Sequence, residues 1–146
     1  CDVAVGQLRL ARSKTQDVAD RCHLTRMNAE SLGYADDVFD QAILFFLFHE
    51  LPPPEARQHV YNEVARVAKP GGSVLISEYG TTPHRHWLYR FGPSRWALGY
   101  WEPFLPTFWQ ENVTKKLQVA LQKRGKSLAN QPTIEYCFAK FYRVLR

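Results

Sequence analysis

Cysteine is scarce in this chain, with three in 146 residues at Cys1, Cys22 and Cys137 and no C-x-x-C pair. Three thiols cannot close a paired disulfide framework, so a reducing, cytoplasm-like setting is the expectation. No apolar run approaches the roughly 20 residues of a membrane-crossing helix, and no signal peptide is visible. Internal repeats and low-complexity tracts are absent, which argues for a globular domain over a repeat array. A helical zinc motif H-E-x-x-H is excluded, because Pro53 stands where the second histidine after His49-Glu50 would fall. G-x-G-x-G is also absent, and Gly71-Gly72 reads as a turn after a helix.

What is present suits one domain around one core: 45% hydrophobic and 23% charged residues. Ala42–Phe48 is an unbroken apolar run, as in a strand buried on both faces of a parallel sheet. Its length and its flanks, Asp36-Asp37 before and Pro52-Pro53-Pro54 after, favour strand over buried helix. A helix then leads to Lys69-Pro70-Gly71-Gly72 and a second short apolar strand, Ser73–Ser77. Two such strands joined by a helix predict a right-handed βαβ unit.

Phe39-Asp40 opening the strand, His49 at its end, and Lys69-Pro70-Gly71-Gly72 before the next strand resemble the class I methyltransferases that use S-adenosylmethionine. Their order and spacing match that family's fourth strand, fourth helix and fifth strand. Cys1–Arg12 resembles the end of the second strand and its following helix, and Met27-Asn28-Ala29-Glu30 the end of the third strand. The resemblance covers most of residues 1–79. It implies an α/β, doubly wound, Rossmann-like fold, mostly parallel, with a terminal antiparallel strand pair. The family's first strand and Gly-rich loop have no counterpart, which would leave two strand edges without a partner. The expectation is therefore a truncated single domain spanning residues 1–146, with at least about 30 further residues upstream.

Charge divides the chain. Residues 1–79 carry 8 Lys and Arg against 11 Asp and Glu, whereas residues 80–146 carry 11 against 3. All four tryptophans fall in the second half, within Trp87–Trp109. The segment 81–109 is too aromatic for a linker and too rich in Pro and Gly for one long helix. It follows a strand's carboxyl end, where doubly wound folds bind ligands, and reads as a cover over a substrate pocket. Basic residues among Trp and Tyr also suit peripheral contact with anionic head groups. The same residues would alternatively pack a small core of their own. A single-stranded nucleic-acid groove ranks last, for want of any RNA-binding motif. Beyond it, Val113, Leu117, Ala120 and Leu121 line one face of a helix over Asn112–Lys126. Lys123, Arg124 and Lys126 lie near its negative end, and Gly125 is placed to terminate it. Thr133–Leu145 reads as the closing strands.

Trp101-Glu-Pro-Phe-Leu-Pro-Thr-Phe-Trp109, with His86-Trp-Leu-Tyr-Arg90, Phe46–Leu51 and the terminal Phe141-Tyr-Arg-Val, is similar to the methyltransferase-like enzymes of rhodoquinone biosynthesis. That resemblance implies a lipophilic quinone substrate. It implies exchange of a ubiquinone ring methoxy group for an amino group, S-adenosylmethionine as amino donor, and Mn2+. Ser77-Glu78-Tyr79-Gly80 departs from the pattern. A conventional methyltransferase on another lipophilic acceptor and a non-catalytic binding protein are the rival readings.

Candidate residues follow. Asp2, at a strand end, suits the ribose hydroxyls or else caps a helix. Asn28 and the Ala29 amide suit adenine, with Asn28 otherwise a turn residue. Phe46 joins them as a cofactor contact, and Met27 and Leu32 either sandwich adenine or belong to the core. His49 suits proton transfer or holds a ligand, with a backbone-bonded strand cap as the alternative. Glu50 is placed to orient it or to ligate a metal. Glu78 and Tyr79 face the crevice as acceptor and catalytic contacts, and Trp87, Trp101 and Trp109 face the substrate. His84 and His86 read as solvent-facing, and Asp36, Asp37 and Asp40 as turn and cap residues.

Overall fold

The structure is a computed structural model that describes residues 1–78, 91–129 and 139–145. Helix α1 (Val5–Lys14) leads to β1 (Phe39–Phe45), α2 (Glu55–Val67) and β2 (Ala68–Ser77). Helices α3 (Gly92–Trp101), α4 (Leu105–Trp109) and α5 (Val113–Gln122) follow, then β3 (Ser127–Leu128) and β4 (Ala139–Leu145). The sheet order is β1-β2-β4-β3. β1 and β2 are parallel, with Gln41 opposite Ser73 and Phe45 opposite Ser77. β4 runs antiparallel to both β2 and β3. The βαβ unit and the closing antiparallel pair are thus as the sequence predicts.

The Pro-Gly-Gly turn has a specific geometric job. The β1–β2 register shifts between Phe39 and Gln41, where four residues of β2, Lys69–Gly72, stand opposite the single Asp40. Gly71 takes a left-handed φ of 83°, and a Cβ on Gly72 would sit 2.8 Å from the Asp40 carbonyl oxygen. Only glycine permits that approach.

Two expectations for β1 are corrected. The strand ends at Phe45 rather than Phe48, because Phe46 turns into a left-handed φ of 48° and Phe48–Glu50 forms a 3-10 turn. The strand is also not buried on both faces. Leu44 is 5% exposed, whereas Ile43 and Phe45 are 60% and 69% exposed. Side chains alternate across a strand, and α2 and α5 cover only the Leu44 face. Among the described residues β1 pairs with β2 alone.

The core lies between that face and α2, α4 and α5. Val60, Tyr61, Val64 and Ala65 of α2 meet Leu117, Ala120 and Leu121 of α5 over Leu44, Val74 and Ile76. The Asn112 side chain caps α5 by accepting the Lys115 N–H at 3.0 Å. At the other end Gly125, φ 66°, closes the helix: its N–H reaches Gln122 and that of Lys126 reaches Leu121. Lys126 departs from expectation. Its ammonium leaves its own helix and caps the carboxyl end of α2, donating to the Ala65 and Ala68 carbonyls at 2.7 and 2.8 Å and to Asp37. A cation there satisfies terminal carbonyls and opposes the negative end of α2.

Arg66 ties the loop before β1 to α2. It donates to the Leu32 and Tyr34 carbonyls and to Glu63 and Asp36, while Arg124 holds the second Asp36 oxygen. The Arg66 guanidinium holds both the Glu63 and Asp36 carboxyls below their usual range, and Glu63 in turn raises Arg66. Asp36, expected as a turn or cap residue, instead uses both carboxylate oxygens in pairs with Arg66 and Arg124.

Candidate functional site

Parallel strands β1 and β2 end side by side, and the chain leaving β1 turns over the end of β2. The Phe46 N–H donates to the Ser77 carbonyl at 2.8 Å. Glu78, the next residue of β2's run, is 5% exposed and accepts the Leu47 and Phe48 N–H groups on one oxygen, at 2.6 and 2.5 Å. Its other oxygen lies 2.7 Å from His49 Nδ1. His49 is itself only 3% exposed. A carboxylate only accepts, so it fixes the proton of the neutral imidazole on Nδ1 and aims Nε2 away from β2. Nε2 faces Glu102 at 3.7 Å and Glu50 at 4.0 Å. The arrangement suits His49 to take and release a proton at Nε2.

A second buried charge holds the same turn from behind. Arg57 is 1% exposed on the apolar face of α2. Its Nε donates to the Phe48 and Leu51 carbonyls at 2.9 and 3.1 Å. Its terminal nitrogens reach Glu111 at 3.0 Å, the Phe104 carbonyl at 2.8 Å and Thr107 at 3.2 Å. The guanidinium also sits over the Phe108 ring, which stacks on Phe48. The His49 turn and the aromatic helix α4 therefore share one anchor.

Of the expected cofactor residues, Asp2, Asn28 and Ala29 lie on two neighbouring segments. A parallel bridge pairs Asp2 with Arg26, so Asp2 and Asn28 lie on adjacent segments. Asp2 Oδ1 accepts the Ala4 N–H at 2.7 Å, and Asn28 Oδ1 accepts the Glu30 N–H at 3.0 Å. Asn28 thus makes the local turn that was its alternative role, whereas Asp2 bonds two residues ahead and is not the cap of α1, whose N-cap position is Ala4. A second lone pair on Asn28 Oδ1 and the Ala29 N–H supply the acceptor and donor that an adenine edge requires, and Asp2 Oδ2 is an acceptor for a ribose hydroxyl. Phe46 packs edge-on to His49, with centroids 5.8 Å apart.

Other expected residues are distributed differently. Glu78, anticipated as a substrate contact, turns both oxygens to the protein and holds His49. Glu50, anticipated as its orienting partner, has a side chain 69% exposed and stands farther from the ring. Trp109 is half-buried against the core, whereas Trp101 is 79% exposed. Tyr79, Trp87, His84 and His86 lie outside the described residues. Arg57 and Glu102 were missed. The signal for Arg57 was its place on the stripe Arg57-Tyr61-Val64. For Glu102 it was the Glu-Pro-Phe motif itself.

Residues 1–76 match the family model described as Methyltransferase domain. This chain belongs to that methyltransferase family. It is 34% identical over 77 residues to a phosphatidylethanolamine N-methyltransferase of Cereibacter sphaeroides, covering 51% of this chain and 36% of that protein. It is 35% identical over 79 residues to a demethylmenaquinone methyltransferase of Lactiplantibacillus plantarum, covering 53% and 32%. The matches thus span about a third of these curated relatives. Among solved structures, a SAM-dependent methyltransferase of Aquifex aeolicus superposes with a TM-score of 0.59 at 16% identity, over 99% of this chain and 66% of that one. The methyltransferase fold is shared at that distance.

Proposed function

We propose that this chain carries the catalytic centre of an S-adenosylmethionine-dependent transferase acting on a lipophilic quinone, with His49 as general base. The buried His49–Glu78 pair at the carboxyl ends of β1 and β2 carries the reading, in a fold whose ligands bind beyond those strand ends. Family membership supports the cofactor, and the demethylmenaquinone methyltransferase among the relatives supports the acceptor class.

For ring methylation, S-adenosylmethionine, when bound, would supply an electrophilic methyl group on its sulfonium centre, with a neutral thioether as the leaving group. The chain's own residues do the rest. Asp2 accepts a ribose hydroxyl, and Asn28 and the Ala29 N–H hold the adenine edge. In that methylation His49 Nε2 would take the proton of a ring hydroxyl on the reduced quinone as the carbon–carbon bond forms, and the ring C–H proton would then return to that oxygen, so that one proton in all ends on the imidazole. Glu78 holds that ring and balances the charge it gains. Fixing base and acceptor in one geometry supplies much of the acceleration.

The finer reading is the rhodoquinone type, in which an amino group replaces a ring methoxy group. The motif beginning at Trp101-Glu102 supports it, and Glu102 is the residue that approaches Nε2. Ring methylation is the second reading, favoured by the named relative. Among the described residues no group of three or more His, Cys, Asp or Glu is placed to hold the Mn2+ that the resemblance implies.

The test is mass spectrometry of the quinone after incubation with S-adenosylmethionine and ubiquinol or demethylmenaquinol in detergent. The protein is expressed within its full reading frame and assayed with and without Mn2+. Amino-for-methoxy exchange supports the finer reading, and a gained methyl group the second. Either product should disappear in His49→Gln while cofactor binding persists. An unchanged quinone from protein that binds the cofactor overturns the quinone assignment.

A further inference from the structure

Helix α3 turns Trp96, Tyr100 and Trp101 outward. Trp96, Tyr100 and Trp101 are 78%, 76% and 79% exposed, and Phe91 just before the helix is 59% exposed. At about 100° per residue, Trp96, Tyr100 and Trp101 span an arc of about 140° that also takes in Pro93 and Ala97. No charged residue falls inside that arc. Scattered exposed apolar residues are ordinary, whereas a contiguous bulky aromatic face marks a contact surface.

We propose that α3 is a membrane-contact helix whose Trp96, Tyr100 and Trp101 seat in the head-group region of an anionic bilayer. Three observations choose that occupant. The side chains are Trp and Tyr, whose rings combine an apolar body with a polar tip and concentrate at membrane–water boundaries. The helix has 10 residues, about 15 Å, half the hydrocarbon thickness, so it lies on a bilayer and does not cross it. Among the described residues no helix is long and apolar enough to cross.

Charge supplies the third. The acidic side chains of residues 91–129 are Glu102 and Glu111, and both turn inward, to His49 and to Arg57. Lys115 and Lys123 of the same segment are exposed. By sequence, residues 80–146 carry 11 Lys and Arg against 3 Asp and Glu, a net positive charge. That complements an anionic surface and opposes face-to-face pairing with a second copy. The face ends at Trp101, one residue before the Glu102 that approaches His49, so it abuts the candidate site. The inference does not rest on the quinone reading and holds for any acceptor.

The test is co-sedimentation of the chain with phosphatidylcholine vesicles, with and without phosphatidylglycerol. Binding should require the anionic lipid and weaken as salt rises. Replacing Trp96, Tyr100 and Trp101 together by Ser should lower the partition coefficient at least about tenfold. These rings lie outside the core, so the far-UV circular dichroism should be unchanged. Brominated lipids should quench Trp fluorescence in the native chain, and less in the triple variant. Tyr100→Ser alone, a milder change, should give an intermediate loss. Absence of binding to anionic vesicles overturns the proposal, as does binding that survives the triple substitution. It is also overturned if the substitution abolishes self-association or poly(U) binding in a chain that ignores vesicles.

Discussion

Replacing Glu78 by Gln separates the chemistry of His49 from its placement. One Glu78 oxygen accepts two N–H groups at 2.6 and 2.5 Å, and the other faces His49 Nδ1 at 2.7 Å. A glutamine of nearly the same shape keeps its oxygen for the two N–H groups, which leaves its NH2 facing Nδ1. An NH2 only donates, so Nδ1 must accept, and the proton of the neutral ring moves to Nε2. Nε2 then has no lone pair for a substrate proton.

The structural cost is modest by comparison. Hydrogen bonds to a charged group contribute about 1.5–3 kcal/mol each and neutral ones about 0.5–1.5, so three bonds lose roughly 3 kcal/mol. Removing a buried charge returns part of that desolvation cost, for a net loss of about 1–3 kcal/mol. A domain of ordinary stability, about 5–15 kcal/mol, stays folded. Turnover should fall about 10³–10⁴-fold, the scale of a wrong-tautomer histidine. The assays are 15N chemical shifts of His49 for the tautomer, urea unfolding for stability, and quinone turnover. Native turnover in a folded Glu78→Gln protein whose Nε2 carries the proton would refute His49 as the base.

Arg57→Met strands the Glu111 carboxylate and four other acceptors, and should cost about 3–5 kcal/mol in urea unfolding. Adding Glu111→Gln should restore part of it, and a double-mutant cycle without coupling would sink the clamp. Lys126→Met leaves the Ala65 and Ala68 carbonyls at the end of α2 without their donor, for a loss of about 1–3 kcal/mol measured by the same titration. Glu63 and Asp36 titrate lower folded than unfolded, so their contribution is complete above the ordinary carboxylate range. It is lost as pH falls through their depressed folded values, because the unfolded chain then binds more protons. Glu63→Gln should flatten that acid limb of stability against pH, and an unchanged limb would count against the Arg66 network.

The elements that local pattern dictates were legible in the sequence. Pro-Gly-Gly announced a break after α2, although β2 begins at Ala68 and runs through it, while Asn112 and Gly125 bracketed α5 and the apolar stripe of α5 chose its buried face. The end of β1 was not legible, because Phe46, Leu47 and Phe48 continue the apolar run while the backbone has already turned. Nothing in hydrophobic periodicity records a left-handed residue in a run of phenylalanines. The roles of Lys126 and Glu78 were misjudged for a related reason. Each was read against its own element, whereas its partners sit 58 to 89 and 29 to 31 residues away.

That misjudgement points to how the site is built. A 3-10 turn of three residues is too short to satisfy its own backbone groups. In this chain two buried ions complete it from opposite sides: Glu78 takes the N–H groups of Leu47 and Phe48, and Arg57 serves the carbonyls of Phe48 and Leu51. The position of His49 is therefore set by the end of β2 and by α2, more than by the strand that precedes it. Arg57 also grips Phe104, Thr107 and Glu111, so the turn and the aromatic segment after Trp101 are held by one guanidinium. A shift of α4 moves the Phe104 carbonyl, Thr107 and Glu111 that hold Arg57, and through Arg57 the His49 turn. In this arrangement the geometry of the base and the placement of the aromatic segment are one structural variable, and substitutions at Arg57 should change them together.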